Sequence, residues 1–557
     1  MKSKKWLWMF VLALTFVLAA CGGFTDDASD DSSTDSTDNE QTNSDTGTTG
    51  GEKVLKLSLE NDIPDLNQVL TTDGISFQVL NNVMEGLYRL DPNNEPQPAS
   101  AESVNISDDK LTYTFKLREG LKWSDGSDLT AENYRYSWLR AIHPDTAGAY
   151  ADIIYSNIVG GTEYNAGEAD ADAVGIKVLD PLTLEVTLVK PTPYFLGLTA
   201  FPTYFPLSEE FINKVGDKFA LNKDSILYNG PYVLTEFDQA QGVMLEKNDQ
   251  YWDKANVDID KVSLKVIKEK STALNLYESG ELDRVYLSSA DVSRYSSDPE
   301  FGTETEFTSW FLQFNHDVAP FDNVNIRKAF QLSYDAEVLV KTVLNNGSEA
   351  ATGLVAKGVY GDGTKTFREL SGDVIKPDVE AAKEFLAKGI EEIGGKLPTI
   401  EVLTADDTIA KDTATFLQSE FKKNLGVDVS IVTKPYSGRL DAMRASEYMM
   451  GISRWGSDYD DAMDILGLWD GDPKKGLRGN YYNPAYKELM NKVLVETDDK
   501  KRLEYLIQGE RLMLTEDGAL GPLYYDGQSF LQKDYLSNLV IHPYGASLNL
   551  KYAKLTK

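Results

Sequence analysis

DDKLTYTFKLREGLKWSDGSDLTAENYRYSWLRA, residues 108–141, holds both secondary-structure periods within one short stretch. From Leu111 to Leu117 apolar and polar side chains alternate, the period of two of a half-buried strand. Trp123-Ser124-Asp125-Gly126 is a turn cluster, and Thr130 then reads as an N-cap with Glu132 in the first helical turn. Working outward, the same alternation marks strands at Val54–Leu59, 182–188, 262–267, 400–403 and 427–432. Ile75, Val79, Val83 and Leu87 recur at helical spacing, and 325–343, 408–424 and 498–514 read as amphipathic helices. Strands interleaved with long helices predict an α/β or α+β architecture. No internal repeat of fixed period is present.

The 557 residues exceed a single typical domain several-fold, and 41% hydrophobic content is enough for sizeable cores. Lys and Arg number 55 against 88 Asp and Glu, a net charge of -33. Such a field repels phosphate backbones, which argues against nucleic acid as a partner. One cysteine excludes an intramolecular disulfide, and three histidines leave little material for a zinc site. Turn clusters such as Asp91-Pro92-Asn93-Asn94 punctuate the chain, but no long linker marks a domain boundary.

The N-terminus reads as an address. Lys2, Lys4 and Lys5 precede an apolar or small run from Trp6 to Ala20, too short for a comfortable span, so residues 1–20 are expected to be a signal peptide. Cys21, directly behind Leu18-Ala19-Ala20, resembles the lipidated cysteine of a bacterial lipobox. Residues 22–51 are almost entirely small and polar, with eight acids and no Lys or Arg. Such a segment cannot bury enough apolar area to order itself, so 21–51 are expected to form a solvated tether on a lipid anchor.

Reaction signatures are missing: no GxSxG, Walker loop, GxGxxG, HExxH or EF-hand spacing occurs. His143, His316 and His542 each read as turn or surface residues. Asp458, Asp460, Asp461 and Asp464 crowd four carboxylates together, but the Gly-mediated turn of a calcium loop is absent, so no metal is expected. No cofactor is expected either. In Arg454-Trp455-Gly456-Ser457-Asp458-Tyr459 a short carboxylate stands between two large rings beside a glycine that lets backbone approach a ligand. By themselves these residues read more simply as a polar loop beside a core tryptophan.

Five segments together resemble the extracellular solute-binding proteins of oligopeptide and dipeptide ABC importers. They are VMEGLYRLD (83–91), the opening stretch 108–141, YNGPYVL (228–234), FNHDVAPFDNVNIRKAFQLSYD (314–335) and RWGSDYDDAMDIL (454–466). The resemblance implies a two-lobed α/β clamp, periplasmic-binding-protein-like (Venus flytrap), with an additional third domain. Lobe I would combine 52–85, 208–309 and 525–557, the extra domain 86–207, and lobe II 310–524. An extended peptide would lie between the lobes. The resemblance reverses the reading of the Trp455 loop: Asp458 matches the aspartate that pairs with the ligand's α-amino group, through a charge-assisted hydrogen bond in a closed cleft. Tyr150 matches a cleft tyrosine. Backbone near Thr72 and Asp73 and near Trp455 and Gly456 would serve the peptide's N–H and C=O groups as in strand addition, with Asn480 and Tyr481 as further contacts. Gln313, Asn315, Tyr436 and Tyr525 would line the pocket. Some relatives use arginines upstream of the tryptophan to meet the ligand's C-terminal carboxylate. Here that stretch reads Leu440-Asp441-Ala442-Met443-Arg444, shifted by one, which leaves peptide length open.

The function so implied is a monomeric, lipid-anchored, non-enzymatic receptor outside the cytoplasmic membrane of a Gram-positive cell, handing oligopeptides to a permease. Capture of one signalling peptide, or of an oligosaccharide or metal chelate, remains open on the same scaffold. A surface hydrolase or an adhesin is the reading from a different class.

Overall fold

The computed structural model describes residues 51–556 apart from Ala147, Ala149 and 471–477, and it excludes the side chains of Tyr436 and Ser437. The expected signal peptide, Cys21 and the expected tether as far as residue 50 lie outside the described residues. From Glu52 on, the chain forms one unit built on three main sheets.

The first sheet orders Val54–Leu59, Lys261–Val266, Gly242–Lys247 and Tyr232–Asp238, parallel only at its first pair. The second orders Ala101–Ile106, Thr112–Leu117, Thr183–Thr187 and Ile176–Asp180, all antiparallel. Each strand turns its apolar members one way. Leu55, Leu57 and Leu59 of the first sheet and Tyr113, Phe115 and Leu117 of the second therefore reach one continuous core. The helix Ala131–Ala141 packs into the same core through Tyr134 and Trp138, whose indole donates to Tyr204 O at 2.7 Å. Thr130 starts this helix with its N–H donated to the Asn133 side chain at 2.8 Å.

The third sheet is larger and mixed. Arg284–Tyr286, Leu520–Gln532, Phe301–Phe314, Met450–Gly456, Ile400–Ala405 and Val429–Lys434 lie side by side, and Glu349–Ala350 pairs with Leu520–Gln532. Apolar layers cover both faces. One contains Phe311, Trp469, Tyr486 and Met513; the other contains Phe314, Phe330, Leu417 and Tyr524. A strand buried on both faces loses its period of two. That is why 307–314 and 520–525, the doubly covered halves of the two longest strands, Phe301–Phe314 and Leu520–Gln532, were not expected from the sequence, the second being further masked by its Gly-Pro start. The expected lobe junctions at 309/310 and 524/525 fall inside these two strands, so they run unbroken through both places.

The helix expected over 325–343 is two helices, Val324–Leu332 and Ala336–Leu339, followed by a wider turn. Ser333 Oγ bonds back to Phe330 O at 3.0 Å and Asp335 caps the new start through Glu337 N at 2.9 Å, so local side-chain bonds outcompete continuation. His542 is not at the surface but 2% exposed. Its Nδ1–H donates to Asn94 Oδ1 at 2.8 Å and its Nε2 accepts from Asn549, while burial and the Arg89 charge push its pKa down to about 4.

Glu510 is fully buried under the third sheet, paired with Arg368 and accepting the Leu354 and Val355 N–H groups at 2.8 and 3.0 Å. Removing one member strands the other's charge in a dry place. Glu510→Ala is expected to cost about 3–5 kcal/mol of stability, read by urea unfolding, and a cost under about 1 kcal/mol would contradict this account.

Candidate functional site

The strand Met450–Gly456 delivers Trp455 and Gly456 to its C-terminal end, and the chain then turns through Ser457 and Asp458. Gly456 pairs with Thr308, where an added Cβ would stand 3.0 Å from the threonine hydroxyl. Asp464 organises the turn from below. One of its oxygens accepts the Trp455 Nε1–H at 2.7 Å, and the other accepts the Asp458 N–H at 3.3 Å.

Tyr150 faces Asp458 from the segment that carries the second sheet. Its hydroxyl donates to Asp458 Oδ1 at 3.0 Å. Phe77 and Phe201 hold the tyrosine ring, with centroids 5.9 and 5.5 Å away. The C-terminal segment closes the third side: Gly545 N donates to Ser457 O at 3.2 Å, and at φ +60° this glycine brings backbone close to Asp458. What remains beside Asp458 is a cavity of about 20 Å³, lined also by Asn81, Gly197, Phe201 and His542. That holds about one water, so the space beside Asp458 is narrow.

The electrostatics follow from this enclosure. Burial raises the Asp458 carboxyl from 3.8 to about 6, the Asp152 charge adds to the rise, and the Tyr150 hydrogen bond opposes it. Among the described residues no cation acts on it. Burial, and then the Asp458 charge, push Asp464 well above the usual carboxylate range. Burial and Asp458 together keep the Tyr150 phenol protonated. The site is thus a carboxylate with one neutral donor and an unmet demand for positive charge.

The four crowded carboxylates go four ways. Asp458 meets Tyr150, Asp460 accepts Tyr360 N at 2.7 Å, Asp461 pairs bidentately with Arg502 at 2.7 and 2.8 Å, and Asp464 holds the turn. Asp464 was not singled out as part of the site. Its helical spacing from Asp460 and Asp461 is the only sequence signal, and it does not separate the three.

The remaining expected residues divide. Asp73 sits at the helix Gly74–Val83, where its carboxylate caps Ser76 N at 3.0 Å, and Thr72 beside it is exposed. Their helix also carries Phe77 to Tyr150, which places this backbone near the site. Gln313, Asn315 and Asn480 are set apart. Gln313 pairs with Gly451 while Thr308 pairs with Gly456, five residues or roughly 17 Å along the strand. There Asn315 Oδ1 accepts from Asn480 at 3.1 Å, and Gln313 donates to Tyr448 OH at 2.6 Å. Tyr481 is buried and spends its hydroxyl on Asp517 at 2.7 Å; Tyr525 is buried and donates to Gly353 O at 3.0 Å. Tyr436 begins the helix Tyr436–Arg444, and its side chain lies outside what the structure describes.

A raised folded-state pKa means that the folded protein holds the Asp458 proton more tightly than the unfolded chain between about pH 4 and 6. Stability is therefore lost as pH rises through that window, and the loss persists above it. Asp458→Asn removes the loss. The ligand-free variant is expected to be more stable than the parent by roughly 1–2 kcal/mol at pH 7.5 and to converge with it near pH 4. Calorimetric unfolding at the two pH values checks this, and a less stable variant at pH 7.5 contradicts it.

The family model for bacterial extracellular solute-binding proteins, family 5 (middle region), matches residues 95–476. The dipeptide-binding protein DppE of Bacillus subtilis (strain 168) is 34% identical over 554 residues, 99% of each chain. The oligopeptide-binding protein OppA of the same organism is 32% identical and aligns over 97% of each. Among solved structures, Listeria monocytogenes OppA bound to peptide is 36% identical, with a TM-score of 0.77 over 91% of this chain and 100% of that one. With a two-lobed α/β clamp architecture, and matched along nearly its whole length, the chain belongs to the bacterial extracellular solute-binding proteins of family 5.

Proposed function

We propose that this chain is a lipid-anchored receptor that captures peptides by their free amino terminus and passes them to the permease of an ABC importer. One observation carries the reading: Asp458 is a shielded carboxylate with no cation on it among the described residues, placed where the segments carrying the second and third sheets meet. A peptide ammonium supplies the missing charge. The names of the relatives, a dipeptide-binding and an oligopeptide-binding protein, support the ligand class. The n-region, the short apolar run and Cys21 support the anchor and the extracellular address.

Entry of a peptide requires the site to open, breaking the Tyr150–Asp458 bond and the stacked contact of Tyr194 on Tyr459, whose centroids are 4.2 Å apart. Closure then re-forms around the ligand, with an ammonium on Asp458 in a medium where Coulomb attraction is weakly screened. Backbone at Gly456, exposed at the strand end, meets the peptide main chain without regard to side chains. Ligand binding shifts the population toward the closed form, which is the form a permease would read.

The pH profile follows. Below about pH 6 the free protein carries Asp458 protonated, and an ammonium must displace that proton. Above about pH 8 the peptide's own amino group loses its charge. Affinity is expected to be flat between these limits and about tenfold weaker at pH 5. Asp458→Asn should weaken binding by roughly 2–5 kcal/mol, and N-acetylated peptides should bind the parent protein comparably poorly. Titration calorimetry with a co-purified peptide and its acetylated form decides the matter. Equal affinity for both removes Asp458 from this role.

A further inference from the structure

Tyr459 is joined directly to Asp458, so whatever holds its ring also restrains the backbone from which the Asp458 carboxylate projects. Upstream of the anchor, Ser457 is tied twice, its N–H donating to Phe307 O at 2.9 Å and its carbonyl accepting Gly545 N at 3.2 Å. Asp464 holds the N–H of Asp458 itself. Downstream, Tyr459 lays its ring flat on Tyr194, with centroids 4.2 Å apart and planes 14° apart. Among the described residues no other ring pair is as close or as parallel; the next are at 4.8 Å and 17°. A parallel stack fixes the orientation of a ring, which burial alone does not.

The Tyr194 side of the stack is a firm mount. Tyr194 opens the short helix Phe195–Leu198, and Leu198 N donates to its carbonyl at 3.0 Å. Phe195 and Leu198 are buried in the core shared with the second sheet, where the Phe195 ring lies 4.9 Å from that of Tyr113. The Tyr459 side is braced as well. Asp461 N donates to Tyr459 O at 3.0 Å, and Arg502, which binds both oxygens of Asp461, lies 6.0 Å from the Tyr194 centroid. The ion pair that closes the turn therefore leans on the tyrosine against which the turn is stacked. Gly197 of the same short helix lines the cavity beside Asp458, whereas neither stacked ring does. The pair restrains the anchor without occupying the space next to its carboxylate.

We propose that Tyr194 is a positioning residue for the anchor: by stacking on Tyr459 it fixes the downstream side of the Asp458 turn and so aims the carboxylate at the ligand's amino group. The proposal rests on the amino-terminus reading above. A charged anchor acts at full strength only when it is held within about 0.5 Å of its productive place by neighbours that are themselves locked. Tyr194 comes from the segment carrying the second sheet and Tyr459 from the end of the third, so the stack forms only when these segments meet. Selectivity for a free amine is thereby completed on closure, by a ring that does not meet the ligand.

The test uses the full chain and a synthetic pool of Ala-X-Ala and Ala-X-Ala-Ala peptides, each made with a free and with an acetylated amino terminus, captured and counted by mass spectrometry. The parent is expected to enrich free amines over acetylated members by about tenfold or more. Tyr194→Ala should reduce that ratio roughly three- to tenfold, the range that the geometry of one aromatic pair supplies, with acetylated members captured as before. Tyr194→Phe, which keeps the stack, should restore the parental ratio. In an Asp458→Asn background, Tyr194→Ala should change capture by less than about twofold, because the group it aims is gone. A ring that served packing or closure alone would lower both classes together and in either background. That result, or an unchanged ratio in Tyr194→Ala, overturns the positioning role and leaves the Asp458 reading intact. If the unfolding midpoint shows that Tyr194→Ala does not fold, Tyr459→Leu removes the same stack from the other side and is judged by the same ratio. A parent that captures both classes equally, or neither, overturns the Asp458 reading and this proposal with it.

Discussion

A carboxylate that has lost most of its water and gained only one neutral donor is the constraint around which this site is arranged. Asp458 is held by its own backbone to Asp464 and by one oxygen to Tyr150, and neither bond carries positive charge. Its pKa near 6 records the deficit, on the order of 1–2 kcal/mol after allowance for partial exposure. A structural carboxylate is usually better served. Asp461, three residues from Asp464, has both oxygens on Arg502, and Glu510 has Arg368 and two backbone N–H groups. The fold is therefore able to answer acids where it needs to, and it leaves Asp458, with Asp460 and Asp464 beside it, without a cation among the described residues where separate parts of the chain close on one another.

That closure depends on the third sheet. Phe301–Phe314 and Leu520–Gln532 are paired almost along their whole length and buried on both faces for much of it. Met450–Gly456 hangs on the first of them through seven consecutive pairs, ending at Thr308 and Gly456. The strand that presents Trp455 is therefore as rigid as the double-faced core, while the turn after it is fixed only by Asp464, Tyr150 and a bond from Gly545. Rigid presentation and local contacts that can be broken together are what a site needs if it is to open for a ligand without losing its geometry.

Sequence periodicity read the exposed parts of this architecture well and its interior poorly, for one physical reason. Val54–Leu59 and Thr112–Leu117 have one face in water, and both were legible to within a residue. The inner halves of the long strands of the third sheet, 307–314 and 520–525, have almost none, so no alternation announced them. At the site, the resemblance led to Asp458, Tyr150 and Trp455, which the structure brings together. It also led to Gln313, Asn315 and Asn480, which bond to one another or to Tyr448 at the far end of the strand, and to Tyr481 and Tyr525, whose hydroxyls are spent inside the core. Spacing along the chain cannot tell which end of a strand a residue occupies once partners hundreds of positions away decide the register. Asp464 escaped for the opposite reason: it was hidden among like neighbours.

A local anchor is also what lets an acidic protein choose among charged solutes. A net charge of -33 acts on the approach of any charged solute, but at physiological salt it is screened beyond about 8 Å, so it cannot decide which end of a peptide is held. That decision belongs to groups within contact distance and out of water, where attraction is several times stronger than at the surface. On the reading proposed above Asp458 is such a group, shielded and without a cation among the described residues. The cost that burial places on the Asp458 carboxylate is then released by the cation that the closed site takes.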